Sequence, residues 1–236
     1  MGATAFVSGQ SFSERGTQLL ERLDYRRVET ADEWDAIQRL RYDAYHREGA
    51  IEPTSAKKLA DAFDESHNAW IYGLYLDGRL VSSIRIHIAS EAASEMPALP
   101  AFSDILVPEL QAGKVIVDPS RFVVDSVAAR DHPQLAYMTL RIPWLACEYF
   151  NAQLVLATVR PEHRAFYKRV FGQQPICPPR PYHSLIKPLS LMMLEYRTTR
   201  DQVNARYPFF RSTFFERRML FERPADAPRH AASAAA

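Results

Sequence analysis

The chain has 236 residues, of which 47% are hydrophobic and 24% charged, and its formal net charge is +1. This composition excludes an intrinsically disordered chain and is typical of one folded domain, alone or with an appendage. A nearly neutral chain also lacks the strongly basic surface of a general nucleic-acid-binding protein. The two cysteines, Cys147 and Cys177, form no CxxC pair or Cys/His cluster, so we expect no metal site.

All apolar runs are shorter than the roughly 18 residues that a membrane-spanning helix needs. The first residues also lack the basic and apolar pattern of a signal peptide. Two cysteines without a pairing pattern favour a reducing compartment. We therefore expect a cytoplasmic protein.

The first half of the chain predicts a helix, a strand, a second helix and a β-hairpin. The expected ranges are a helix over residues 14–23, a strand over 25–29, a helix opened by a Thr30/Glu33 capping box and ended by Gly49, and strands over 70–76 and 80–88. Asp77 and Gly78 between these strands indicate a tight turn, because both tolerate positive φ angles. The stretch that follows contains Pro97, Pro100 and Pro108 and is expected to be irregular.

The second half predicts further strands and helices. The expected ranges are a strand over 114–125, a helix over 132–150 with a kink at Pro143, a strand over 154–159, a helix from Pro161 to Gly172, and an apolar return to the sheet within 184–196. This order predicts an α/β (α+β) fold with a mixed, mostly antiparallel sheet flanked by helices on both faces.

An acid and an arginine, Asp118 and Arg121, interrupt a strand-like apolar run. An ionised group in a buried strand costs several kcal/mol unless it is partnered or used in chemistry. Arg85 lies in the preceding strand, where alternation places it on the face opposite Ile84 and Ile86. These charges indicate an active site. The other interpretation is a set of structural ion pairs, with Asp118 bridged to Arg121.

Four segments resemble the autoinducer-synthase branch of the GNAT acyltransferase superfamily, and within it the N-acyl amino acid synthases. They are residues 40–51 (LRYDAYHREGAI), 63–65 (FDE), 74–86 (LYLDGRLVSSIRI) and 118–125 (DPSRFVVD). The resemblance covers about residues 25–188. It implies a GNAT-like acyltransferase fold and transfer of a long-chain fatty acyl group from an acyl carrier protein thioester to the α-amine of an amino acid or related amine.

The resemblance implies roles for three catalytic residues. Asp118 stands where the family has an acidic residue, usually Glu, and would bind the amine or help to deprotonate it. Arg121 matches a family arginine and would help to clamp a substrate carboxylate. Tyr167 matches a tyrosine in the last conserved helix of GNAT enzymes and would protonate the leaving thiolate. Core packing is the alternative for this tyrosine.

Three more residues match substrate-binding positions of the family. Arg85 would share the carboxylate clamp, Asp64 matches an acidic position near the acceptor pocket, and Arg41 would fix the loop over residues 51–58 above the site. The alternatives are a structural ion-pair lattice for the arginines and a surface-loop acid for Asp64. Quorum-signal synthases tend to have a second acid where this chain has His67, a departure that argues against S-adenosylmethionine as the acceptor.

The segment over residues 128–133 (AARDHP) lacks the glycine-rich loop with which GNAT enzymes cradle the pyrophosphate of coenzyme A. We therefore expect the donor to be the phosphopantetheine thioester of an acyl carrier protein, a co-substrate, and no bound cofactor. Carrier proteins are acidic, so a basic face would dock them. Its residues would be Arg164, Lys168 and Arg169, together with Arg160, Arg180 and Lys187. A solvated helix side is the alternative for these charges.

Two rival functions stay open. One is an acyl-homoserine-lactone synthase that uses S-adenosylmethionine. The other is a non-catalytic acyl- or carrier-binding module, in which the charges only stabilise the sheet. The apolar helix over residues 135–145 would line an acyl tunnel in an enzyme and is ordinary core otherwise.

The segment over residues 206–221 (RYPFFRSTFFERRMLF) mixes aromatic and basic residues. It predicts a helical lid packed on the domain, a helix in peripheral contact with a membrane, or a partner-binding arm, with simple packing as the default. We divide the chain into a flexible or helical lead (1–23), a GNAT-like acyltransferase domain (24–196), a helical appendage (197–223) and a disordered tail (224–236).

Overall fold

The structure is a computed structural model that describes residues 10–183 and 185–223. Its helices are α1 (Phe12–Glu21), α2 (Ala31–Arg47), α3 (Leu99–Gln111), α4 (Ser126–Asp131), α5 (Leu135–Tyr149), α6 (Arg164–Phe171), α7 (Tyr196–Arg206) and α8 (Phe214–Phe221). Its strands are β1 (Leu23–Arg27), β2 (Ala69–Leu76), β3 (Arg79–Ala89), β4 (Ile116–Val124), β5 (Leu154–Val159), β6 (Gln174–Pro175) and β7 (Ser190–Glu195). Short 3₁₀ turns cover Ala62–Glu65, Pro161–His163 and Pro208–Phe210.

The strands form one sheet in the order β1-β2-β3-β4-β5-β7-β6. Of these pairs, β4–β5 is parallel and the others are antiparallel. Helix α5 packs with Ile84, Ile86 and Val117 on one face of the sheet, and α3 packs with Ile116 and Leu191 on the other. The predicted fold class, a mixed and mostly antiparallel sheet with helices on both faces, is confirmed.

Local sequence signals lie where predicted. Thr30 and Glu33 form a capping box at the start of α2, and Gly49, with φ of +61°, follows the end of that helix. Asp77 and Gly78 adopt φ angles of +50° and +82° between β2 and β3. Two successive left-handed residues are what a two-residue hairpin turn requires.

The proline-containing stretch, predicted to be irregular, contains α3, so that prediction is wrong. Pro100 stands in the first turn of α3, where its missing N–H costs nothing. Pro108 lies inside the helix near its end and forfeits one hydrogen bond. Phe102, Leu106 and Leu110 are buried against the sheet. Their burial outweighs that loss, since each fully buried apolar side chain contributes about 1.5–3 kcal/mol.

The C-terminal segment packs into the main core. Phe209 and Phe221 are both 2% exposed and belong to the same core cluster as α5. The buried Arg141 of α5 donates to the carbonyl oxygens of Phe209 at 2.5 Å and Arg211 at 2.8 Å, and to the carboxylate of Glu216 at 2.5 Å. The inner side of this segment is therefore packed against the domain, as the default interpretation of the sequence expected.

Among residues 10–183 and 185–223, no helix combines the length and apolar character needed to cross a bilayer. The division into lead, domain, appendage and tail stays a prediction. The predicted disordered tail and residues 1–9 of the lead lie outside the described residues.

Candidate active site

A β-bulge in β4 brings two consecutive side chains to one face of the sheet. Arg85 of β3 pairs with Ser120, and Ser83 pairs with Val123, so one residue of β3 lies opposite two residues of β4. Arg121 is one of these two and has φ of +50°, in the left-handed region. In a regular strand Ser120 and Arg121 would point to opposite faces. Here both contact groups on the same face.

Five charged side chains gather on this face and are called here the arginine–aspartate cluster: Arg41, Arg85, Arg121, Asp61 and Asp64. Asp61 accepts hydrogen bonds from Arg85 Nη1 and from Arg121 Nη2, both at 2.5 Å. Asp64 accepts from Arg85 Nη1 at 2.8 Å and from Arg41 Nη1 at 2.9 Å. The cluster thereby joins α2, the 3₁₀ turn that follows Asp61, and strands β3 and β4.

The cluster is buried and carries an excess positive charge. Arg41 and Arg85 are at most 1% exposed, and the side chain of Asp64 is 2% exposed, so the surface-loop interpretation of Asp64 is wrong. Burial raises the pKa of Asp61, but hydrogen bonds from Arg85 and the charges of Arg85 and Arg121 hold it well below its usual range. Three guanidiniums against two carboxylates leave one positive charge, which favours a bound anion.

Asp118 of β4 is a further buried acid of the site. Its side chain is fully buried, and its Oδ2 accepts a hydrogen bond from the Ala98 backbone N–H at 2.9 Å. Its Oδ1 has no hydrogen-bond partner among the described residues. Burial raises the pKa of Asp118 to about 7, against the smaller lowering effects of the Ala98 hydrogen bond and the Arg85 charge. A carboxyl with this pKa and one unpaired oxygen is suited to take up a proton.

The interpretation of Asp118 and Arg121 as a plain salt bridge is not supported. Arg121 Nε and Nη2 lie 3.0 and 2.5 Å from Asp61 Oδ2, and the cation that lowers the pKa of Asp118 is Arg85. The sequence analysis missed Asp61. The feature of the sequence that could have indicated Asp61 is its Asp-x-x-Asp spacing with Asp64, since the two acids form a capping box around the 3₁₀ turn.

Two aromatic residues from the segment before β7 lie over the site. Tyr182 stacks on His183 at 4.5 Å between ring centroids, and His183 lies 5.3 Å from Phe63. Burial and the charge of Asp118 raise the pKa of Tyr182, which places these two groups within electrostatic range. The sequence analysis missed Tyr182 and His183, because they lie in an irregular segment that carries no motif.

His87 is a neutral, fully buried histidine on the same strand face as Arg85. Burial and the Arg85 charge lower its pKa to about 3. Its Nε2 lies 3.1 Å from the Phe63 carbonyl oxygen, so the neutral ring donates this hydrogen bond. His87 therefore holds the 3₁₀ turn against β3. The sequence analysis missed it, although strand alternation two residues after Arg85 indicates this position.

Tyr167 lies beside a small cavity between β4 and β5, which pair at two positions and then separate. The cavity has a volume of about 20 Å³, room for about one water molecule. Its lining comprises Pro119, Leu140, Pro143, Trp144, Val155, Leu156, Tyr167, Phe171 and Gln173. Burial and the nearby Tyr45 raise the pKa of Tyr167. The Tyr45 ring also lies 5.3 Å from the Arg121 guanidinium, so Tyr45 lies between the cavity and the cluster.

Arg41 contacts Asp64 and lies 5.3 Å from the Trp34 ring. Its partner in the structure is therefore a member of the cluster. Among the described residues, the Arg41 side chain makes no hydrogen bond to the loop over 51–58, which it was expected to fix. His67 is exposed, 3.9 Å from Glu95.

The three predicted carrier-docking residues lie together on α6. Lys168 and Arg169 are exposed, and Arg164 is partly buried and donates to the Pro161 carbonyl at 3.2 Å. Other members of the expected basic face are already paired, Arg160 with Glu48 and Arg180 with Asp104. The glycine-free segment over residues 128–133 forms the end of α4 and the turn after it.

Across the part of the chain that the structure describes, no three His, Cys, Asp or Glu side chains are arranged to hold a metal ion. The site offers a buried acid, a cationic cluster and phenol groups.

Comparison with known proteins gives one matching family and several solved structures of similar fold. The family model of the N-acyl amino acid synthase FeeM matches residues 36–195. No match is found among curated proteins. The solved structure of FeeM, an N-acyl amino acid synthase from uncultured soil microbes, is similar with a TM-score of 0.64 and 20% identity, covering 77% of this chain and 94% of that chain.

Two further solved structures are also similar in fold. The CoA-dependent acyl-homoserine lactone synthase BjaI, solved with MTA, has a TM-score of 0.54 and 16% identity, covering 79% of this chain and 89% of that chain. TofI, in a ternary complex with an inhibitor and MTA, has a TM-score of 0.55 and 13% identity, covering 78% and 96%. At these sequence identities the similarity shows a shared fold only. That fold is the GNAT-like one that the sequence led us to expect.

Proposed function

The chain belongs to the family of the N-acyl amino acid synthase FeeM and is an N-acyltransferase, and we propose that it moves a long-chain fatty acyl group from an acyl carrier protein thioester to the α-amine of an amino acid. The observation that carries this proposal is the buried carboxyl of Asp118, which has a pKa of about 7 and one unpaired oxygen. It lies beside a cationic cluster, and the two features suit an acceptor with both an amine and a carboxylate.

The acceptor carboxylate would lie against the arginine–aspartate cluster, at Arg121. Arg121 is 6% exposed, whereas Arg41 and Arg85 are at most 1% exposed, so Arg121 is the most accessible arginine of the cluster. A guanidinium binds a carboxylate through two parallel hydrogen bonds. In this proposal Arg41 and Arg85 act as positioning residues, because their contacts are with the two aspartates that hold the cluster together.

Asp118 would take a proton from the acceptor ammonium group. The resulting amine forms a C–N bond with the thioester carbonyl carbon, and the C–S bond breaks when the tetrahedral intermediate collapses. The nitrogen loses a second proton and the leaving thiolate gains one, so the reaction releases one proton overall. General acid–base help of this kind contributes about 10²- to 10⁴-fold to the rate.

Tyr167 would support the departure of the thiolate. Its raised pKa keeps the phenol protonated, so it can donate a hydrogen bond to the developing negative charge. The same raised pKa makes the phenol a weaker acid than a thiol, whose pKa is about 8.5. We therefore assign Tyr167 a hydrogen bond to the sulfur, and the proton that the thiolate gains comes from protonated Asp118 or from solvent.

The absence of glycine in the segment over 128–133 supports a carrier-bound phosphopantetheine donor, and so do Lys168 and Arg169 on the exposed side of α6. Because the cavity holds about one water molecule, an acyl chain would need β4 and β5, or the side chains between them, to move apart. The thioester is a co-substrate in this proposal.

The test is a product analysis with purified protein. One long-chain acyl group is offered either on an acyl carrier protein or on coenzyme A, with a mixture of the amino acids, and the products are identified by mass spectrometry. We expect an N-acyl amino acid, formed faster from the carrier thioester, and its loss in a folded D118N variant. No N-acyl product from either donor would refute the proposal. Lactone release with S-adenosylmethionine would favour the acyl-homoserine-lactone synthase alternative.

A further inference from the structure

We propose that the outer side of α8 is a binding surface for anionic lipid bilayers. This surface, called here the α8 patch, consists of Phe214, Phe215 and Met219, which are 67%, 69% and 70% exposed. They are the three most exposed large hydrophobic side chains among the described residues. Single exposed apolar residues need no explanation, but adjacent ones on one helix mark an interaction site.

Helix α8 is held so that the patch faces outwards. Its inner side includes Phe221, which is 2% exposed, and Tyr72 donates a hydrogen bond to the Leu220 carbonyl at 2.7 Å. The buried Arg141 reaches the Glu216 carboxylate at 2.5 Å. Phe215 and Met219 stand one turn apart on the same side of α8, and Phe214 precedes Phe215 in the first turn. The apolar exposure is therefore a property of an anchored helix and not of a loose chain end.

Arginines flank the patch in the sequence: Arg211, Arg217, Arg218 and Arg223. Arg211 and Arg218 are exposed, whereas Arg217 donates to Ser212 and Arg223 donates to the carbonyl oxygens of His67 and Ala69. The two acids of the same stretch are already paired, Glu216 with Arg141 and Glu222 with Arg218. Aromatic and Met side chains flanked by arginines on a short helix are typical of a segment that lies in the plane of an anionic membrane surface.

The size of the patch favours a bilayer over a second copy of the chain. The exposed parts of its three side chains amount to roughly 400 Å². A stable protein–protein interface buries about 800 Å² on each partner. Insertion of a few aromatic groups into the headgroup region requires no such area, because the charges around the patch supply the rest of the attraction.

The patch also lies on the same face of the sheet as α5, whose residues line the cavity beside Tyr167. The proposed product, an N-acyl amino acid, is an amphiphile that partitions into bilayers. This part of the argument rests on the proposed function, whereas bilayer binding itself does not and can be measured without activity.

The experiment is co-sedimentation of the full chain with vesicles of phosphatidylcholine alone and of phosphatidylcholine mixed with phosphatidylglycerol. We expect binding to the mixed vesicles, weakened by salt, and a loss of at least about tenfold in the partition coefficient for F214S/F215S/M219S. The matched control is V127S/I176S, which removes two exposed apolar side chains elsewhere and should bind as the parent does. Acyl transfer from a soluble donor is assayed in parallel, so that failure of the proposed function is distinguished from failure of this inference.

If the triple variant does not fold, a conservative variant provides a second test. F215W keeps the apolar surface. Because the chain already has three tryptophans, the fluorescence of the parent is subtracted, and the difference spectrum should show a blue-shifted maximum with mixed vesicles only. The inference is overturned if the parent chain does not sediment with mixed vesicles, or if the folded triple variant sediments as well as the parent. It is also overturned if the parent is a dimer in solution that the triple variant converts to a monomer, because the patch is then an interface between copies.

Discussion

Arg121 Nη2 donates to Asp61 Oδ2 at 2.5 Å, although the two residues are 60 positions apart in the chain. Asp61 also accepts two hydrogen bonds from Arg85, so one carboxylate holds the guanidiniums of both strands. The left-handed backbone of Arg121 puts its side chain within reach of that carboxylate. The bulge and the loop acid are therefore parts of one arrangement.

The first prediction concerns that carboxylate. Asp61→Asn removes a charge shared by two buried cations, and breaking a buried pair typically lowers the free energy of unfolding by about 3–5 kcal/mol. Urea denaturation measures the change. The matched control is Asp77→Asn, whose partner Arg22 and own side chain are both more than half exposed, so screening leaves little effect. Equal effects of the two substitutions would contradict the shared-carboxylate interpretation.

The second prediction concerns the pH dependence of catalysis. Ionised Asp118 accepts the proton in the proposed reaction, so kcat/KM of the parent should rise with pH through a limb near 7, its pKa of about 7 in the free protein. Asp118→Asn should lower kcat/KM by about 10²- to 10⁴-fold and abolish that limb. Asp118→Glu, which restores a carboxyl, should recover part of both. A folded D118N protein that keeps the parental profile would exclude Asp118 as the base.

The third prediction concerns stability. The folded pKa of Asp118 is about 7 against an ordinary value of 3.8, so between these pH values the native state holds a proton that the unfolded chain has lost. The contribution of Asp118 to the unfolding free energy therefore falls as pH rises from about 4 to 7. The unfolding free energy of D118N minus that of the parent should increase over this range, by up to about 4 kcal/mol.

His87 also titrates, and its contribution to the unfolding free energy changes with pH in the opposite direction. The effect of Asp118 is therefore measured as the difference between D118N and the parent. His87 has a folded pKa of about 3 against an ordinary 6.5, so its native state holds fewer protons than the unfolded chain. Its contribution rises with pH from about 3 to 6.5. This contribution is common to parent and variant and cancels in the difference. A difference that stays flat from pH 4 to 7 would mean that Asp118 is ionised throughout.

The fourth prediction concerns the donor. R164E/K168E reverses two charges on α6 and should raise KM for an acyl carrier protein thioester, with an effect that shrinks at high salt. The same variant should use an acyl-pantetheine thioester, which lacks the carrier protein, as the parent does. Arg22→Glu, a charge reversal between α1 and β1 at the partner of Asp77, serves as the control for a charge reversal away from α6. If R164E/K168E is equally impaired with both donors, α6 is not a docking face.

The fifth prediction concerns the buried arginine of α5. Arg141→Met fills a similar volume but leaves the carbonyl oxygens of Phe209 and Arg211 and the Glu216 carboxylate without their donor. An unsatisfied buried acceptor costs about 1–3 kcal/mol, and the Phe209 carbonyl is the buried one of the three, so the segment after residue 206 should be cleaved faster in limited proteolysis. Arg218→Met, at an exposed position of α8, should leave the cleavage rate unchanged.

Short-range signals in the sequence predicted the elements that such signals control. The Thr30/Glu33 capping box and the Asp77-Gly78 turn act within a few residues, and both lie where expected. Helix α3 was not predicted because prolines are read as breakers, whereas Pro100 occupies a first turn that tolerates it. Whether a proline breaks a helix depends on its position in that helix and on burial, which a local pattern does not contain.

The residues of the candidate active site also fall into two groups, those that local patterns indicate and those that only the tertiary fold brings in. Strand alternation and family likeness together pointed to Arg85, Arg121 and Asp118, which the structure places on neighbouring strands. Their partners were not predictable by the same means. Asp61 comes from a loop, and Tyr182 from an irregular segment, so their approach depends on the tertiary fold. The roles of these residues in catalysis stay predictions for the experiments above.

The burial of Phe209 and Phe221 beside α5 has a consequence for biosynthesis. The core on that face of the sheet is complete only after residue 221 has been synthesised, so shorter nascent chains leave α5 and its arginine exposed to water. We expect folding of this half to finish late, and prematurely terminated chains to be bound by chaperones or degraded rather than to accumulate as a smaller enzyme.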